Sequence, residues 1–577
     1  MQTTTTPIIW SIAGTDSGGG AGLAADQRAA DALGVHACTV VAGITAQSTT
    51  EVTHIEATPP AVLQAQLDTL ARDMPPQVIK TGLLGSADNV RVLAAFVDRL
   101  RAQHPLALVV DPVLRASTGA ALADAELRAA YRELLLPRAT VITPNQAEAV
   151  ALLGGGAPTD IPAQARALRA LGCAAVVITG GDAGATGPLS DLSQDWLDTP
   201  QARGWLSLPR ERTAHNHGTG CTFASALAAA LALGWVVADA AVLAKMAATH
   251  ALRHARAVGR GVGPVVARPG FAQDPTLLPQ LSLDERAPDT WTTRVRGRAP
   301  GVYAIVDSAE RAEAVLRVRP TVDALQLRLK RPAGLDEATW GPTLREAIAR
   351  AQRAADAAGV LLVVNDHWQA ALAEGARALH LGQQDLLALT PPEIDRLAAA
   401  RAQGVQLGIS SHSLWELCRA AALAPDLIAC GPVWPTTTKD MPWQPQGLDN
   451  LAWWAHMAPA PVVGIGGILQ PAQLQAVAAA GAAGGCVVRG LGEDPARTLP
   501  AWRAAWSAGF AAATEATPPG LPHPTLASPV CQPRMLMPPV LCYGEKASPS
   551  PGDRGASRPG APATFSSSEI NPWIVVP

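Results

Sequence analysis

The amino-acid sequence predicts an α/β protein with two domains, a helix-flanked parallel sheet followed by a (β/α)8 TIM barrel. Three observations lead to this prediction. The 577 residues exceed what one hydrophobic core usually covers. From Ile8 to about Val266, short β-like runs alternate with alanine-rich helical patterns, as in a mostly parallel sheet between helices. Residues 301–510 then contain eight β-like runs, each followed by helical sequence, which indicates a compact barrel.

The individual runs can be read in order along the chain. The first domain contains IIWSIAG, CTVVAGITAQ, VIKTGLL, LALVVDPVL, ATVITPN and AAVVITGGD. The barrel contains GVYAIVD, ALQLRLK, LLVVND, ALHLGQ, QLGISS, LIACGPV, PVVGIGG and GGCVVRG. Polar residues cluster at the carboxyl ends of the barrel runs, which is the face where such barrels carry their active sites. We therefore expect residues 1–266 and 301–510 to be two functional domains.

Two segments lack this pattern. Residues 267–300 are rich in Pro and Arg and are predicted to be an interdomain linker. Residues 511–577 are rich in Pro, Ser and Gly and have no sustained period. Such a composition predicts a disordered C-terminal tail.

The composition excludes several classes of protein. The formal net charge of -3 gives no electrostatic footprint for nucleic acid or for an anionic membrane. No apolar run reaches the roughly 20 residues needed to span a bilayer. The eight cysteines are dispersed without a CxxC pair, so we expect reduced thiols in a cytoplasmic protein. Small molecules are the expected partners, and a homo-oligomer stays open.

Two glycine-containing turns in the first domain indicate an anion site. The turn at 14–22 follows a strand and lets backbone approach a ligand, although a plain tight turn fits it equally well. The motif HGTGC at 217–221 opens a long alanine-rich helix, whose N-terminal amides suit the γ-phosphate of a nucleotide. Cys221 would lie at this positive helix end, where we expect its thiol pKa to fall so that it can act as a base. The alternative is a buried, inert cysteine.

Carboxylates near strand ends add to this pattern. Asp111 ends the run VVDPV, and Asn145 and Glu148 lie three residues apart in TPNQAEA. This spacing lets both side chains face one site through a magnesium shell. Each residue alone is more often a helix cap or a solvated group, but their joint position favours a functional site.

These motifs together resemble a known family. AGTDSGGGAGLAAD, ITAQSTTEV, KTGLLG, DPVL, TPNQAEA and HGTGCTFASA follow one another as in the hydroxymethylpyrimidine/phosphomethylpyrimidine kinases of the ribokinase-like superfamily. The resemblance covers residues 8–260 and implies an αβα sandwich that phosphorylates its substrate twice, with ATP as cosubstrate. It implies that Asp26 and Gln47 hold the aminopyrimidine and that Cys221 is the catalytic base. The nucleotide and phosphate residues would be Asp111, Asn145, Glu148, Gly218, Thr219 and Gly220.

One position departs from the family pattern. The family often has Lys before Gly-Gly in the strand that precedes this site, whereas Thr179 precedes Gly180 here. The nucleotide phosphates are therefore expected to lose a cation. Because pyridoxal kinases share the fold, a pyridoxine-type substrate is the nearest competitor.

The barrel motifs indicate a diphosphate and a metal. Gln326, Arg328 and Lys330 alternate along one run, so their side chains share a face that suits a polyanion. Asp366 and Asp385 follow two successive runs, where carboxylates beside basic groups suit magnesium. Hydroxyls and a cation occur in PTTTK at 435–439, and glycines in GIGG at 464–467 expose backbone amides as late phosphate sites of such barrels do.

The barrel resembles thiamine-phosphate synthase over residues 301–495. The similar motifs are QLRLK, NDHWQAAL, LHLGQQDL, GISSHS, GPVWPTTTKDMPWQPQG and GIGGI. In that family the pyrimidine diphosphate loses pyrophosphate with help from Mg²⁺, and the thiazole nitrogen captures the pyrimidine-methyl cation. The resemblance implies that the diphosphate is held by Gln326, Arg328, Lys330, Asn365 and Lys439. It assigns Asp366 and Asp385 to Mg²⁺, Ser410 to the reacting pyrimidine, and Thr436, Thr438, Gly467 and Val488 to the thiazole phosphate.

Here too one residue departs from the pattern. The family often has Ser after the position of Val488, whereas this chain has Arg489. Since Arg can still bind phosphate, we expect altered affinity more than lost function. The product of the first domain would be the substrate of the second, which favours two active enzymes over a rival in which one half only binds ligand.

Overall fold

The structure, a computed structural model, describes residues 6–114, 123–181, 191–293, 299–436, 442–513 and 520–528. It contains a sandwich followed by a barrel, as the sequence predicts. The strands of the sandwich are β1 Ile8–Gly14, β2 His36–Gln47, β3 Val52–Ala57, β4 Val78–Thr81, β5 Ala107–Val110, β6 Val141–Ile142, β7 Val176–Ile178, β8 Leu192–Asp198, β9 Arg203–Pro209 and β10 Gln280–Leu281. Its helices are α1 Gly22–Ala32, α2 Pro60–Ala71, α3 Ala87–Arg101, α4 Ala125–Ala130, α5 Gln146–Leu153, α6 Ile161–Ala170, α7 Thr219–Ala232 and α8 Val237–Arg253.

Within the described residues the sandwich strands form one sheet in the order β10-β9-β8-β7-β6-β5-β4-β1-β2-β3. The six strands from β2 to β7 in this order are parallel. Antiparallel strands flank them, with β3 at one edge and β8 to β10 at the other. Every residue of β4 and β5 is buried, because helices cover both faces of the sheet centre. The alanine-rich helices α7 and α8 are almost entirely buried, since small side chains let them pack closely.

The segment predicted to be a linker differs from that prediction. Short 3-10 turns at Phe271–Gln273 and Pro275–Leu277 lead into β10, which pairs with β9. The sheet therefore extends past residue 266. The sequence signal was weak because β10 has two residues, and such a strand becomes recognisable only through its partner.

The second region is a closed parallel barrel in the order β11 to β18. Each strand lies in one of the eight predicted runs. The strands are β11 Gly301–Val306, β12 Ala324–Leu327, β13 Leu361–Asn365, β14 Ala378–Leu381, β15 Gln406–Ser411, β16 Leu427–Cys430, β17 Val462–Gly464 and β18 Gly484–Val487. The helices are α9 Ala309–Leu316, α10 Glu337–Ala358, α11 Trp368–Ala373, α12 Gln383–Leu387, α13 Pro391–Ala402, α14 Leu414–Ala422, α15 Gly447–Met457, α16 Pro471–Ala479 and α17 Pro495–Ala512.

The sandwich and the barrel contact each other through α14 and α15 of the barrel. The buried carboxylate of Asp239, in the first turn of α8, accepts a hydrogen bond from the Trp415 amide at 3.0 Å. The indole nitrogen of buried Trp453 donates to the carbonyl of Ala272 at 2.7 Å. Burial raises the pKa of Asp239 well above its usual range. The contact therefore includes a carboxyl group that caps a helix of the neighbouring domain.

Part of the predicted tail also has a defined place. Residues 520–528 lie against the barrel, and Thr525 and Ser528 are 2% and 3% exposed. Residues 514–519 and 529–577 lie outside the described residues. The prediction of disorder from residue 511 is therefore wrong for 520–528. This segment has two prolines and no regular period, but its backbone finds hydrogen-bond partners in barrel residues that are distant in sequence.

Two general expectations can be compared with the described part of the chain. None of its helices combines the length and hydropathy needed to cross a membrane. Six of the cysteines lie in this part and are free thiols.

Candidate active sites

The sandwich carries a cavity of about 1340 Å³ at the carboxyl ends of its parallel strands. Ligands of open α/β sheets bind at this edge. Most of the predicted residues line it, namely Gln47, Asp111, Asn145, Glu148, Gly218, Thr219, Gly220 and Cys221. Asp26 is the exception.

The glycine-rich turn after β1 is organised by Asp16, a residue that the sequence reasoning had not singled out. Its carboxylate accepts hydrogen bonds from the amides of Gly18, Gly20 and Ala21 at 2.8, 2.9 and 2.8 Å. His217 Nε2 lies 2.8 Å from Asp16 Oδ2. Burial alone would raise the pKa of Asp16, but the hydrogen bonds from His217 and the backbone lower it. The turn is thereby fixed against the start of α7.

The helix N-terminus predicted to bind phosphate faces the same cavity. Gly218 precedes α7 with a φ of +85°, and a Cβ on it would lie 2.1 Å from the carbonyl oxygen of Gly20. Only glycine allows this close approach of the two turns. Gly220 is exposed at this cavity, while the Thr219 amide donates to the carbonyl of Asn216 at 3.3 Å. A helix N-terminus that opens on a cavity suits an anion.

Asp26 is placed differently from the other predicted residues. It is fully buried below the cavity, where Oδ1 accepts from Lys80 Nζ at 2.9 Å and from Ser225 Oγ at 2.7 Å. The Oδ2 atom accepts from Ser11 Oγ. With its oxygens engaged in these hydrogen bonds, Asp26 lies outside the residues that line the cavity, and its contact with an aminopyrimidine stays a prediction. The sequence cannot reveal this, because α1 has both buried and cavity-facing positions.

Lys80 links Asp26 to the cavity. Its side chain is fully buried, and its Nζ lies 3.4 Å from Asp111 Oδ2. Burial acts to lower the pKa of Lys80, but Asp26, Cys221 and Asp111 outweigh it and raise the pKa. Burial also raises the pKa of Asp111. Lys80 stands in the quoted motif KTGLLG, yet only the fold brings it between two carboxylates.

Cys221 lies in the third position of α7, as predicted, but its acidity differs from the prediction. Burial raises the pKa of its thiol to about 12, and Asp26 and Asp111 act in the same direction against the opposing effect of Lys80. The predicted lowering of this pKa is therefore wrong. The loss of hydration on burial is the largest cause of the raised pKa.

Asn145 and Glu148 form a helix cap at the rim of the cavity. The Glu148 amide donates to Asn145 Oδ1 at 2.9 Å, and Glu148 Oε2 accepts from the Asn145 amide at 3.0 Å. Glu148 Oε1 also accepts from the amide of Leu114 at 3.3 Å. The capping role that the sequence left as an alternative is thus present at the start of α5, although both residues still line the cavity.

A buried cation lies in the cavity near Thr179. Lys245 of α8 is 4% exposed, and its Nζ lies 2.9 Å from Asp195 Oδ2 and 2.9 Å from Ser193 Oγ. Asp195 Oδ1 accepts from the amide of Gly180 at 3.0 Å. Thr179 supplies no cation to this end of the cavity, but Lys245 does, from a helix more than 60 residues later in the sequence.

The barrel gathers its predicted diphosphate residues at one end. Gln326 is buried inside the barrel, where its Nε2 donates to the hydroxyl of Tyr303 at 3.1 Å. Arg328 is half-buried after β12, and Lys330 is exposed in the loop that follows. Asn365 is buried at the end of β13. Of the three residues predicted to alternate along one strand, only Gln326 lies in β12, whereas Arg328 and Lys330 both follow it.

The two predicted metal ligands are close neighbours. Burial raises the pKa of Asp366, and the like charge of Asp385 raises it further, while Arg328 opposes the shift. Asp366 has a φ of +65°, a backbone conformation that few non-glycine residues adopt. Asp385 Oδ2 accepts from the amide of Gly382 at 2.9 Å and so caps α12. A divalent cation would relieve the repulsion between these carboxylates.

Ser410 has a partner that the sequence reasoning missed. Its hydroxyl lies 2.8 Å from Nε2 of His380, which is buried on the neighbouring strand β14. Burial lowers the pKa of His380 to about 4, and Arg328 acts in the same direction, so the imidazole is neutral at pH 7. The signal was present in the sequence as a polar residue at an inward position near a strand end.

The predicted thiazole-phosphate residues follow β16, β17 and β18, which are adjacent in the barrel. Gly467 has a φ of +72°, and a Cβ on it would lie 2.6 Å from Cβ of Trp434, so the loops after β16 and β17 pack closely. Thr436 is half-buried, Val488 precedes a short 3-10 turn, and Arg489 is exposed. Thr438 and Lys439 lie outside the described residues.

Comparisons with known proteins agree with this division of the chain. A family model described as phosphomethylpyrimidine kinase matches residues 16–266, and one described as thiamine monophosphate synthase matches residues 302–491. A hydroxymethylpyrimidine/phosphomethylpyrimidine kinase of Synechococcus elongatus is 42% identical over 261 residues, which are 45% of this chain and 96% of that protein. Among solved structures, a Staphylococcus aureus pyridoxal kinase with ADP is 30% identical, with a TM-score of 0.41, over 45% of this chain and 93% of that one.

Two plant proteins match both halves. A probable thiamine biosynthetic bifunctional enzyme of Oryza sativa is 32% identical over 482 residues, covering 80% of this chain and 81% of that protein. The thiamine biosynthetic bifunctional enzyme of Arabidopsis thaliana is 32% identical over 472 residues, covering 80% and 85%. The chain therefore belongs to the bifunctional thiamine biosynthesis enzymes, in which one polypeptide joins a hydroxymethylpyrimidine kinase to a thiamine-phosphate synthase.

Proposed function

We propose that this chain makes thiamine phosphate in two successive sites and that its own residues have the roles set out below. The kinase half phosphorylates hydroxymethylpyrimidine twice with ATP as cosubstrate, and the synthase half couples the diphosphate to thiazole phosphate and releases pyrophosphate. The observation that carries this proposal is that most of the predicted ligand residues meet at one strand-end face of the sheet and one of the barrel.

In the kinase half, the γ-phosphate is proposed to lie on the first amides of α7, at Gly218, Thr219 and Gly220. These amides supply fixed partial positive charge where the transferred phosphoryl group is negative. Gln47 lines the same cavity and is proposed to contact the aminopyrimidine. Asp26 is proposed to act indirectly, because it holds Lys80 beside Asp111.

Cys221 is proposed to accept the proton of the substrate hydroxyl. With a pKa of about 12, its thiol is protonated before the reaction, so it is not a preformed thiolate. Phosphoryl transfer through a loose transition state develops little nucleophile charge early, so the proton can leave late. A protonated thiol cannot take a further proton, so the base is the small thiolate fraction, which the ammonium group of Lys80 favours. Its Sγ takes the hydroxyl proton, and becomes S–H, as the new bond to phosphorus forms.

Lys245 is proposed to supply the cation that Thr179 lacks. The ammonium group lies in the cavity beside the strand end at which the family often has Lys. Asp195 and Ser193 fix its position, and a phosphate could accept its remaining hydrogen. Lys245→Met is expected to raise the KM for ATP about tenfold or more, as loss of a charged hydrogen bond does. An unchanged KM for ATP would contradict this role.

In the synthase half, Gln326, Arg328, Lys330, Asn365 and Lys439 are proposed to hold the diphosphate. Ser410 is proposed to contact the pyrimidine, with its hydroxyl oriented by the neutral His380. Thr436, Thr438, Gly467, Val488 and Arg489 are proposed to hold the thiazole phosphate.

Magnesium is proposed for both halves, and the synthase residues fit it. Mg²⁺ is usually bound by one or two carboxylates, waters and substrate phosphates. Asp366 and Asp385 are two neighbouring carboxylates, and burial together with the charge of Asp385 raises the pKa of Asp366. When bound, Mg²⁺ would stabilise the leaving pyrophosphate. The kinase set fits less well, because Asn145 and Glu148 bind each other in the helix cap. There we propose that the metal comes with the nucleotide phosphates and contacts Asp111.

A coupled assay tests the proposal. The full chain is given hydroxymethylpyrimidine, ATP, Mg²⁺ and thiazole phosphate, and both pyrimidine diphosphate and thiamine phosphate are followed by chromatography. Omitting ATP should stop both products, whereas supplying the diphosphate directly should restore thiamine phosphate. A pyridoxine-type substrate is not favoured by the matches, and pyridoxine serves as the control substrate. Faster phosphorylation of pyridoxine than of hydroxymethylpyrimidine would contradict the assignment.

The location in the cell stays a prediction. The rice relative is named as a chloroplastic protein, so membership of the family does not imply one compartment. We propose a cytoplasmic location from the dispersed free thiols alone. Fractionation of the native cell tests it, and recovery in an organelle or envelope fraction would contradict it.

A further inference from the structure

A short segment beyond the last barrel helix lies against the synthase loops. This segment, Gly520–Ser528, is named the C-terminal strap. Thr525 is 2% exposed and Ser528 3% exposed, and Leu521 and Leu526 pack on the barrel's apolar core. The strap lies outside the matched synthase region, which ends at residue 491. Its burial requires an explanation that the composition of the tail does not provide.

The first half of the strap binds the start of α15. The His523 amide donates to Oδ1 of Asn450 at 2.9 Å, and Nδ2 of Asn450 donates to the His523 carbonyl at 3.0 Å. Asn450 is 1% exposed. His523 Nε2 lies 3.0 Å from the carbonyl oxygen of Gln446. One buried amide side chain thus pairs with the strap backbone as a neighbouring strand would.

The second half of the strap joins two loops of the barrel. The Thr525 hydroxyl donates to the carbonyl of His412 at 2.7 Å, and the Thr525 carbonyl accepts from the Gln444 amide at 2.7 Å. Gln446, which is fully buried, donates from Nε2 to the same His412 carbonyl at 2.7 Å. The His412 ring also stacks on Trp443, with centroids 5.5 Å apart and planes 8° apart. Thr525 therefore bridges the end of β15 and the loop that follows β16.

These two loops carry residues of the proposed synthase site. His412 lies two residues after Ser410, and Gln444 and Gln446 end the loop that begins at Gly431 and includes Thr436. Loop backbones anchor substrate contacts only when they are held in place, and a misplacement of about 1 Å can cost about 10²-fold in rate. A single strap residue, Thr525, hydrogen-bonds to both loops.

We propose that the C-terminal strap is a positioning element of the synthase, which holds the β15 end and the loop after β16 in the geometry that binds the two substrates. This inference rests on the synthase function proposed above. The hydrogen bonds described above join the strap to His412, Gln444, Gln446 and Asn450, all of which lie in the barrel. Its effect is therefore expected in the kinetic constants of the synthase and not in those of the kinase.

Two truncations of the full chain test the proposal. A chain that ends at Ser528 should keep both activities, whereas a chain that ends at Ala513 should lose about 10- to 100-fold in synthase kcat/KM with an unchanged kinase rate. Equal synthase constants for the two truncated chains would overturn the positioning role. The intact chain is assayed alongside, and if it makes no thiamine phosphate from supplied pyrimidine diphosphate, the proposed function itself is contradicted.

Point variants remove the risk that truncation merely unfolds the barrel. Thr525→Val removes the hydrogen bond to the His412 carbonyl at nearly constant volume and should raise the KM for thiazole phosphate about three- to tenfold. Thr525→Ser keeps the hydroxyl and should restore the wild-type KM. The exposed Ala527 supplies a matched control, because Ala527→Ser should change nothing. A lower Tm for Thr525→Val with unchanged KM and kcat at 25 °C would assign the strap to stability alone and overturn the proposal.

Discussion

The two active sites of this chain hold their charged groups in different ways. In the kinase half, a buried chain of charges runs from Asp26 through Lys80 to Asp111, which lines the cavity. In the synthase half, Asp366 and Asp385 face each other beside Arg328 at the barrel mouth. The kinase site is thus preorganised by internal ion pairs, whereas the synthase site keeps like charges together.

The difference follows from the two architectures. A sheet with helices on both faces can place a charge beneath its ligand and satisfy it from neighbouring strands and helices. A small barrel is filled by side chains, so its polar groups are confined to the strand ends. The comparison teaches that a polar residue at a barrel strand end is a direct ligand candidate, whereas one on a sandwich helix can equally be a buried support.

The largest expected effect concerns Cys221. Cys221→Ala should slow the kinase about 10²- to 10⁴-fold, as loss of a general base does, while the barrel still converts supplied pyrimidine diphosphate. Steady-state rates of each half measured separately check this. Kinase turnover within about twofold of wild type would remove Cys221 from the reaction and leave the helix N-terminus as the main catalytic feature.

Lys80 tests whether the buried charges act as a support. Lys80→Met leaves two buried carboxylates without a counter-ion and should lower the free energy of unfolding of the kinase half by about 3–5 kcal/mol. Urea unfolding measures this loss. Adding Asp26→Asn to Lys80→Met should recover part of it, because one uncompensated charge is removed. Lys330→Met, at an exposed barrel position, is the matched control, and equal destabilisation by both Lys variants would contradict the comparison.

Asp385 tests whether the close carboxylates of the synthase are metal ligands. Asp385→Ala should weaken Mg²⁺ dependence and slow the synthase at least about 10- to 100-fold, so pyrimidine diphosphate accumulates while the kinase continues. The two phosphorylated pyrimidines and thiamine phosphate are quantified over a Mg²⁺ titration. A normal rate with an unchanged Mg²⁺ response would mean that Asp385 only caps α12 and does not bind the metal.

The acidity of Cys221 gives a pH prediction. Because its pKa is raised to about 12, the thiolate fraction should rise about tenfold per pH unit from pH 6 to 10 without a plateau. A folded-state pKa above the unfolded value means that this thiol contributes stability below about pH 8.5 and loses it as the pH rises towards 12. The rate of Cys221 alkylation as a function of pH, in a chain whose other cysteines are replaced, measures the thiolate fraction. A rate that reaches a plateau near neutral pH would support the lowered pKa predicted from the helix end.

The smallest expected effect concerns Arg489. Because its side chain is exposed, Arg489→Ser should change the KM for thiazole phosphate by about threefold or less, in line with the small energies of exposed charge contacts. Full kinetics with varied thiazole phosphate measure it. A loss of more than about tenfold would make Arg489 a main phosphate ligand of this chain.

The sequence predicted the fold of both halves with few differences. All eight barrel runs contain strands, because inward and outward residues alternate strictly in a barrel and each strand pairs with its neighbours in the chain. The same regularity predicted which end holds Gln326, Asn365 and Ser410. The same alternation could also have identified His380, because its neighbours on β14 indicate that its side chain points into the barrel.

Contacts between segments that are distant in sequence could not be predicted from local motifs and periodicity. The burial of Asp26 depends on Lys80 and Ser225, which are 54 and 199 residues away. Lys245 reaches Asp195 from a helix that resembles an ordinary alanine-rich core helix in sequence. The strap has a disorder-like composition, yet its backbone hydrogen-bonds to Asn450 and Gln444, and the Thr525 hydroxyl donates to the His412 carbonyl.

By itself, then, the sequence determined the family, the two reactions, the eight strands of the barrel and most of the residues that line the sandwich cavity, because local motifs and short periodicities encode these features. The tertiary structure alone decided whether a side chain faces ligand or core, and in which protonation state it stands there. Burial and neighbouring charge set both properties, and they are sums over groups brought together from the whole chain. For Cys221 the local helix predicted one acidity, and the buried surroundings produced the opposite one.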